Sequence, residues 1–250
     1  MNALPHLDAG RIYRLAPFEE VVAELRKTFA DGPPVVPPQG VAVGNGQPPA
    51  TSGQGLYVLF GDGGAAVATL DGAALTARRT PAVSALATDA LARDDVRRLA
   101  VFGTGVQARE HVRAMRWVRP SLEQIEIVGR EPAATERFVA MLRGSGHPAV
   151  VASAADASSA DLICTCTASP EPVLIGAKVS AGTHINALGS YQREIGELVT
   201  GRVVDDLVGL ARGAVRRETV DEVTIFVSAG VTVEDLVVAT LAARNAGLVD

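Results

Sequence analysis

Residues 99–115 (LAVFGTGVQAREHVRAM) constrain the fold more than any other part of the chain. The first four are apolar and predict a buried strand, and helical periodicity resumes after a glycine-containing break. The G-x-G-x-x-A spacing of a dinucleotide-binding turn is present at Gly103, Gly105 and Ala108. In such a turn the first glycine permits the bend, the second leaves room for a pyrophosphate, and the helix N-terminus attracts phosphate charge. A plain glycine turn is the alternative, but the strand–turn–helix context favours the nucleotide site.

The composition is that of an acidic globular protein. The 250 residues are 48% apolar and 20% charged, with a net charge of −5 and only 4% aromatic residues. This length suffices for a full core, and the negative charge argues against general nucleic-acid binding. Because no apolar run reaches membrane-spanning length and no basic-then-apolar leader begins the chain, we expect a cytoplasmic protein.

Two cysteines, Cys164 and Cys166, lie in an apolar run. A strand would place both on one face, where buried free thiols are the common outcome. We therefore expect free thiols and no metal site, with a metal-binding or redox pair as the alternative.

The segments before the glycine turn predict a smaller, mixed region. Helical spacing is present in residues 19–29, and residues 31–55 read as loop or extended chain because they are rich in Pro and Gly. Two apolar runs, residues 56–60 and 65–70, are separated by Gly-Asp-Gly-Gly, which predicts a β-hairpin.

A helix is predicted within residues 75–93 (LTARRTPAVSALATDALAR). Thr80 is a residue type favoured as N-cap, and Pro81 suits the first helical position. Arg78 and Arg79 would then stand just before the helix N-terminus, where the helix dipole disfavours cations. An anion bound between these arginines and the free N–H groups would resolve the conflict, and two solvated loop arginines are the alternative.

Short apolar runs alternate with helical segments after the glycine turn, which predicts an α/β fold with a doubly wound parallel sheet. Ligands of such sheets bind at the carboxyl ends of the strands. A last helix is predicted with Thr232 as its cap and Gly247 past its end. The strands are predicted at residues 99–102, 124–128, 149–152, 162–165, 183–188, 202–205 and 223–227, with a helix at 132–143.

The end of the second strand of this sheet indicates the type of nicotinamide cofactor. NAD sites usually place an acidic side chain there, which accepts hydrogen bonds from the adenosine ribose. This chain has Gly129, which cannot repel a 2′-phosphate, followed by Arg130, which can bind one. We therefore predict NADP(H) in preference to NAD(H). The alternative is that Glu131 turns toward the ribose and selects NAD(H).

These motifs resemble the signatures of the ornithine cyclodeaminase/mu-crystallin family. The segments TARRTPAVSALATDAL, GTGVQAR, TASPEPVL, GTHINALGSYQRE and DEVTIFVSAGVTVEDL occur in the family's order and span most of residues 73–235. The resemblance implies a Rossmann-type nucleotide-binding domain, residues 94–206, inserted in a smaller α+β substrate and dimerisation lobe. That lobe would comprise residues 1–93 plus 207–250 and would form a homodimer. Family members reduce cyclic imines, oxidise amino acids or cyclise ornithine with loss of ammonia.

The resemblance also implies roles for single residues. Arg79 matches an arginine at the junction of the cofactor phosphate and the substrate carboxylate. The residues that match cofactor contacts are Gly103, Thr104, Gly105, Val106 and Gln107 in the pyrophosphate turn, Gly129 and Arg130 at the adenosine end, Thr165 and Thr167 on the fourth strand, and Asn186, Ala187 and Ser228 beside the nicotinamide.

On the substrate side the chain departs from the family. Tyr191 stands where the cyclodeaminases carry an aspartate, and Gln39 follows VVPP where the family presents an arginine. No lysine occurs between Lys27 and Lys178, although the family presents one to the substrate. The substrate lobe is also shorter than the resemblance implies.

The leading hypothesis is an NADP(H)-dependent reductase of a small cyclic imino acid, such as Δ1-pyrroline-2-carboxylate or Δ1-piperideine-2-carboxylate. Hydride would pass from the nicotinamide to the C=N carbon while Arg79 holds the carboxylate. Tyr191 and Glu194 are the nearby candidates for proton donation. The alternative is an NADP(H)-binding protein with little or no catalysis, and ornithine cyclisation is the third hypothesis.

Overall fold

The computed structural model describes residues 4–32, 40–44, 55–61, 63–188, 195, 199–228 and 230–249, and of residues 40–44 only the backbone. The chain forms two compact units. The first comprises Met1–Val83 and Gly230–Asp250, and the second comprises Ser84–Ala229.

The elements of the described residues follow one another from a mixed first part to an alternating second part. In chain order they are β1 (His6–Leu7), α1 (Ala9–Leu15), α2 (Phe18–Ala30), β2 (Gly40–Gly44), β3 (Gly55–Phe60), β4 (Ala66–Asp71), α3 (Gly72–Leu91), β5 (Arg98–Phe102), α4 (Val106–Val118), β6 (Gln124–Val128), α5 (Pro132–Gly144), β7 (Ala149–Val151), α6 (Ala154–Ala157), β8 (Leu162–Cys166), a 3₁₀ turn (Gly176–Lys178), β9 (His184–Leu188), β10 (Arg202–Val204), α7 (Leu207–Ala211), β11 (Thr224–Val227) and α8 (Thr232–Asn245).

Within its described residues, the first unit contains a four-stranded sheet in the order β1-β4-β3-β2. β3 and β4 pair antiparallel, which confirms the predicted hairpin, and β1 lies parallel to β4. The turn residue Asp62 lies outside the described residues. Alternate positions in the middle of β3 and β4 are buried, as expected for strands with one face on a core. α1 and α2 pack against α8 on this unit.

α3 begins earlier than predicted. It runs from Gly72, directly after β4, and Pro81 lies inside it rather than at its start. The Asp71 carboxylate accepts a hydrogen bond from the Ala74 N–H, so Asp71, and not Thr80, binds an N–H group of the first turn. The missing N–H of Pro81 removes one helical hydrogen bond, and the burial of the following apolar residues compensates for that loss. The prediction of a helix N-terminus at Thr80 is therefore wrong.

Arg78 is a core residue of the first unit and not a loop arginine. Its guanidinium carbon lies 5.0 Å from the centroid of the Tyr13 ring and 4.2 Å from that of Phe18. Its Nη2 donates to the Tyr13 carbonyl oxygen at 2.9 Å. Cation–π contacts and this hydrogen bond keep the charge favourable in a buried position. Neither the proposed anion site at a helix N-terminus nor the solvated alternative applies to Arg78.

The second unit is built on a parallel sheet in the order β10-β11-β9-β8-β5-β6-β7. Helices α4 and α5 follow β5 and β6 as crossover connections, which confirms the predicted Rossmann-type α/β fold. The central strands are buried on both faces, and β5 is accordingly a nearly continuous apolar run, whereas β9 also buries His184 and Asn186. The carboxyl ends of β5, β6, β8 and β9 lie along one edge and position the candidate site.

The second unit extends beyond the predicted limits of 94–206. β11 lies between β9 and β10 in the sheet, so the chain returns to this sheet after residue 206. Thr232 is the first helical residue of α8 rather than its cap, because Val231 holds the N-cap position. Gly247 follows α8 with a φ of +70°, as the predicted helix end requires. None of the described helices combines the length and apolar composition needed to cross a lipid bilayer.

Candidate functional site

The glycine turn between β5 and α4 leaves a helix N-terminus open. Gly103 has a φ of +129°, and a Cβ on it would overlap the carbonyl oxygen of Cys166. Gly105 is the N-cap of α4, which has no side-chain cap, and a Cβ on Gly105 would meet no atom within 4 Å. Ala108 is fully buried, so α4 can lie close to the sheet. The space at Gly105 and the uncapped N–H groups suit a phosphate group.

The carboxyl end of β6 has no room for a side chain at the position where NAD sites carry an acid. A Cβ on Gly129 would overlap Thr135 Oγ1 and lie 2.8 Å from Thr104 Cγ2. Arg130 is exposed and forms no salt bridge with another described residue. Glu131 is the N-cap of α5 and accepts from the N–H groups of the first turn, at 2.7 Å from Ala134 N. The Glu131 carboxylate therefore already caps α5, a role that sequence reasoning missed.

At the ends of β8 and β9, Thr165 and Thr167 border a small, open cleft. The Thr165 hydroxyl donates to the Leu188 carbonyl oxygen at 3.0 Å and accepts from the Leu188 N–H at 2.9 Å. Thr167 Oγ1 accepts from the Ser169 N–H at 3.1 Å. Leu174 and Leu188 supply apolar walls to this cleft. This mostly apolar cleft lies at the carboxyl ends of the strands, where ligands of parallel sheets bind.

Asn186, Ala187 and Ser228, the residues that the resemblance places beside the nicotinamide, are all buried. The Asn186 side chain is fully buried, and its Nδ2 donates to Thr88 Oγ1 at 2.8 Å. In this structure the Asn186 amide therefore joins β9 to α3. Ser228 follows β11 directly.

Several residues of the predicted substrate side lie outside the described residues. These are Tyr191, Glu194 and Gln39. Their predicted roles stay predictions.

Arg79 lies in the first unit, held by two carboxylates. Its Nη1 donates to Glu234 Oε2 at 2.7 Å, and its Nε donates to Asp235 Oδ1 at 3.0 Å. The Glu234 side chain is fully buried, whereas that of Arg79 is 14% exposed. Sequence reasoning missed both ion pairs. The signal available was two adjacent acids in the first turn of an otherwise apolar helix.

The electrostatics of this group are unusual because one cation faces two carboxylates. Burial raises the pKa of Glu234 and of Asp235, and the charge of Arg79 offsets part of that rise. For Arg79, burial lowers the pKa, but the charges of Asp235 and Glu234 outweigh it and the net shift is upward. The Tyr57 hydroxyl is buried, and burial together with Asp235 raises its pKa above the ordinary value. We call these four residues the Arg79 cluster.

The buried histidines and cysteines of the second unit are poor candidates for acid–base chemistry at neutral pH. Burial lowers the pKa of His111 to about 4 and that of His184 to about 3, so both rings are neutral. Cys164 and Cys166 are free thiols, as expected. Burial raises the pKa of Cys164 to about 12, which removes its nucleophilic thiolate form.

The sequence is similar to that of known proteins over most of its length. The profile of the Ornithine cyclodeaminase/mu-crystallin family matches residues 45–200. The Delta(1)-pyrroline-2-carboxylate reductase of Paracoccus denitrificans is 30% identical over 229 residues, which cover 76% of this chain and 72% of that protein. The ketimine reductase mu-crystallin of Mus musculus is 30% identical over 218 residues, which cover 76% of this chain and 69% of that protein.

Solved structures share the fold. The Delta(1)-pyrroline-2-carboxylate reductase of Thermococcus litoralis, in complex with NADH and L-proline, has a TM-score of 0.81 at 22% identity over 97% of both chains. The probable ornithine cyclodeaminase of Bordetella pertussis has a TM-score of 0.79 at 25% identity, covering 98% of this chain and 97% of that chain. The first of these likenesses supports the fold alone.

Proposed function

This chain belongs to the ornithine cyclodeaminase/mu-crystallin family, and on that premise we propose that it is an NAD(P)(H)-dependent reductase of a small cyclic imino acid. The observation that carries the proposal is the open, uncapped N-terminus of α4 behind the glycine turn. Relatives named for the reduction of pyrroline-2-carboxylate and of ketimines support a C=N bond as the reacting group.

The residues of the second unit fit a dinucleotide cofactor. The space left by Gly105 and the first N–H groups of α4 receive the diphosphate, and the cleft bordered by Thr165 and Thr167 has the polarity for the nicotinamide end. When bound, the cofactor supplies the hydride for the imine carbon. The task of the chain itself is to position the reactants and to balance charge.

Arg79 is the proposed ligand of the substrate carboxylate. A guanidinium binds a planar carboxylate through paired, charge-assisted hydrogen bonds. Its two protein partners hold the side chain in one orientation, which reduces the entropy lost when a ligand binds. A protonated imine needs no strong protein acid, so positioning at the carboxylate suffices for much of the proposed catalysis.

The direct test is turnover of Δ1-pyrroline-2-carboxylate and Δ1-piperideine-2-carboxylate by the purified protein with NADPH and NADH. We expect loss of the reduced-nicotinamide absorbance and formation of the cyclic amino acid, identified by mass spectrometry. Saturable NADPH binding without turnover of either imine would favour the alternative of a non-catalytic NADP(H)-binding protein. The observation that favours this alternative is that no lysine lies between Lys27 and Lys178, where the family presents one to the substrate. Release of ammonia from ornithine would revive the third hypothesis.

We further propose that NADP(H) binds more tightly than NAD(H). The space at Gly129 is filled by Thr135 and Thr104, so no acid can occupy that position. Glu131 caps α5 and is not free to accept from a ribose hydroxyl. Arg130 is exposed at the same strand end and can bind a 2′-phosphate.

Arg130→Ala is expected to weaken NADPH binding about tenfold or more and to leave NADH binding unchanged, because only the 2′-phosphate contact is lost. Dissociation constants for both nucleotides, measured by fluorescence titration, check this. Arg137→Ala, at an exposed arginine of the following helix α5, is the matched control and should change neither constant. Equal losses for NADPH and NADH would place Arg130 away from the 2′-phosphate.

The assembly state and location are also part of the proposal. The resemblance implies a homodimer, which light scattering of the purified protein tests. A cytoplasmic location stays a prediction.

A further inference from the structure

We propose that the Arg79 cluster is a proton-linked carboxylate site, in which a carboxylate ligand binds Arg79 and one proton enters the Glu234–Asp235 pair. The identity of the ligand rests on the proposed function, whereas the proton linkage rests on the cluster itself. Glu234 and Asp235 are inferred to be positioning residues for Arg79 that also adjust the charge of the site.

The cluster leaves one side of the Arg79 guanidinium available. Nε and Nη1 donate to Asp235 and Glu234, whereas Nη2 donates to no acceptor among the described residues. Gly230 lies beside this group, with a φ of +65°, and a Cβ there would lie 3.0 Å from Nη1 and 3.5 Å from Nη2. A glycine at this point therefore keeps the approach to the guanidinium open. A carboxylate bound there would make the contact that Nη2 lacks.

Charge balance makes binding to this side depend on protonation. A third carboxylate would give three anions around one cation, with Glu234 fully buried and Asp235 mostly buried. When several carboxylates share one buried site, their mutual repulsion disfavours ionisation of one of them, as in carboxylate dyads. Protonation of one carboxyl group relieves the repulsion and leaves Arg79 with two carboxylates.

One buried carboxylate oxygen, Glu234 Oε1, marks where such a proton can reside. Within the described part of the chain, Glu234 Oε1 and the Tyr57 hydroxyl are buried without a hydrogen-bond partner. A buried carboxylate oxygen that accepts no hydrogen bond is poorly stabilised as an anion. The proton comes from solvent and joins the carboxylate oxygen, so no other bond changes. Burial already raises the pKa of both carboxyl groups toward this state.

The groups that face the pair come from each element around it. Arg79 contributes the positive charge from α3, and the Tyr57 phenol lies on β3. α1 and α2 also pack on α8, but Glu20 and Glu24 of α2 engage Asn245 and Arg244 at the far end of that helix. Arg79 and the two carboxyl groups are therefore the main determinants of the linkage.

The experiment uses pyrrole-2-carboxylate, a planar anion without a basic nitrogen, with the NADP⁺-loaded protein. A proton taken up on binding then cannot reside on a ligand nitrogen, and the variants below test whether it resides on the Glu234–Asp235 pair. Calorimetric titrations at constant pH in HEPES and in Tris, which have unequal ionisation heats, give the number of protons bound. We expect uptake approaching one proton and a dissociation constant that rises with pH, by up to about tenfold per unit.

Variants separate this linkage from a purely structural role. Glu234→Gln or Asp235→Asn should abolish proton uptake and flatten the pH dependence, so that the variant binds more tightly than the wild type at high pH. Glu24→Gln, at a carboxylate on the same unit, should retain the wild-type uptake. Asp235→Asn, at the less buried position, serves if Glu234→Gln fails to fold.

Equal heats in both buffers would overturn the inference, as would uptake that persists in both variants. Failure of pyrrole-2-carboxylate to bind would also overturn it. Imine turnover is measured separately, so an active enzyme without proton uptake refutes the linkage and leaves the proposed function standing. An inactive protein that binds the anion with proton uptake supports the linkage and refutes the proposed function.

Discussion

Gly103→Ala is expected to destabilise the protein by about 3 kcal/mol or more and to abolish nucleotide binding. Gly103 has a φ of +129°, which residues with a side chain rarely adopt. The added Cβ would also overlap the carbonyl oxygen of Cys166, which belongs to the neighbouring strand and cannot move aside without breaking the sheet. Urea unfolding followed by circular dichroism measures the free energy of unfolding, and fluorescence titration measures NADPH binding.

Gly105→Ala is the matched control, because it adds the same methyl group two residues away. Gly105 has a φ of −89°, and the added Cβ meets no atom within 4 Å. Its stability should therefore stay within about 0.5 kcal/mol of the wild type. NADPH binding should still weaken, since the methyl group fills the space that a pyrophosphate needs. Unchanged NADPH binding by Gly105→Ala would show that the phosphates lie elsewhere.

The contrast between these two glycines shows what a local pattern can predict. The spacing of Gly103, Gly105 and Ala108 predicts the strand, the turn and the helix because each residue acts through its own backbone conformation or size. The strands of the parallel sheet were predictable for the same reason, since continuous apolar runs suit strands buried on both faces. The period-two pattern of β3 and β4 likewise identified the hairpin.

The errors arose where contacts distant in sequence or a competing local signal decided the outcome. Thr80 and Pro81 have the residue types of a helix start, but β4 ends at Asp71, whose carboxylate begins α3 instead. Arg78 is held by the rings of Tyr13 and Phe18, which no spacing near Arg78 reveals. The capping role of Glu131 was in principle visible, because an acid directly before Pro132 is a helix-start signal.

The Arg79 cluster could not be predicted from any local sequence pattern. Arg79 and Glu234 are separated by 155 positions in the chain, and they meet because the first part of α3, up to Val83, and α8 belong to the same unit. The resemblance supplied an anion-binding role for Arg79 but not the two acids that hold it. Those acids change the chemistry expected of the arginine, because Arg79 and its two carboxylates together carry a net negative charge until one carboxylate is protonated.

Arg79→Lys is expected to lower kcat/KM for a cyclic imino acid by about thirtyfold or more, which corresponds to about 2 kcal/mol of transition-state stabilisation. Lysine keeps a positive charge opposite Glu234 and Asp235, so the protein should fold. It lacks the planar fork that can bind two protein carboxylates and a ligand carboxylate together. Steady-state kinetics with NADPH measure the loss.

The choice of lysine rather than alanine decides what this experiment means. Arg79→Ala would leave Glu234 buried without its counter-charge, at a cost of about 3–5 kcal/mol, so lost activity would report unfolding as much as catalysis. Arg244→Lys, at an arginine of the same unit that pairs with Glu24, is the control and should keep wild-type kinetics. If Arg79→Lys retains the wild-type kcat/KM and the wild-type stability, the guanidinium does not bind the substrate. The imine would then have to be positioned by groups outside the Arg79 cluster.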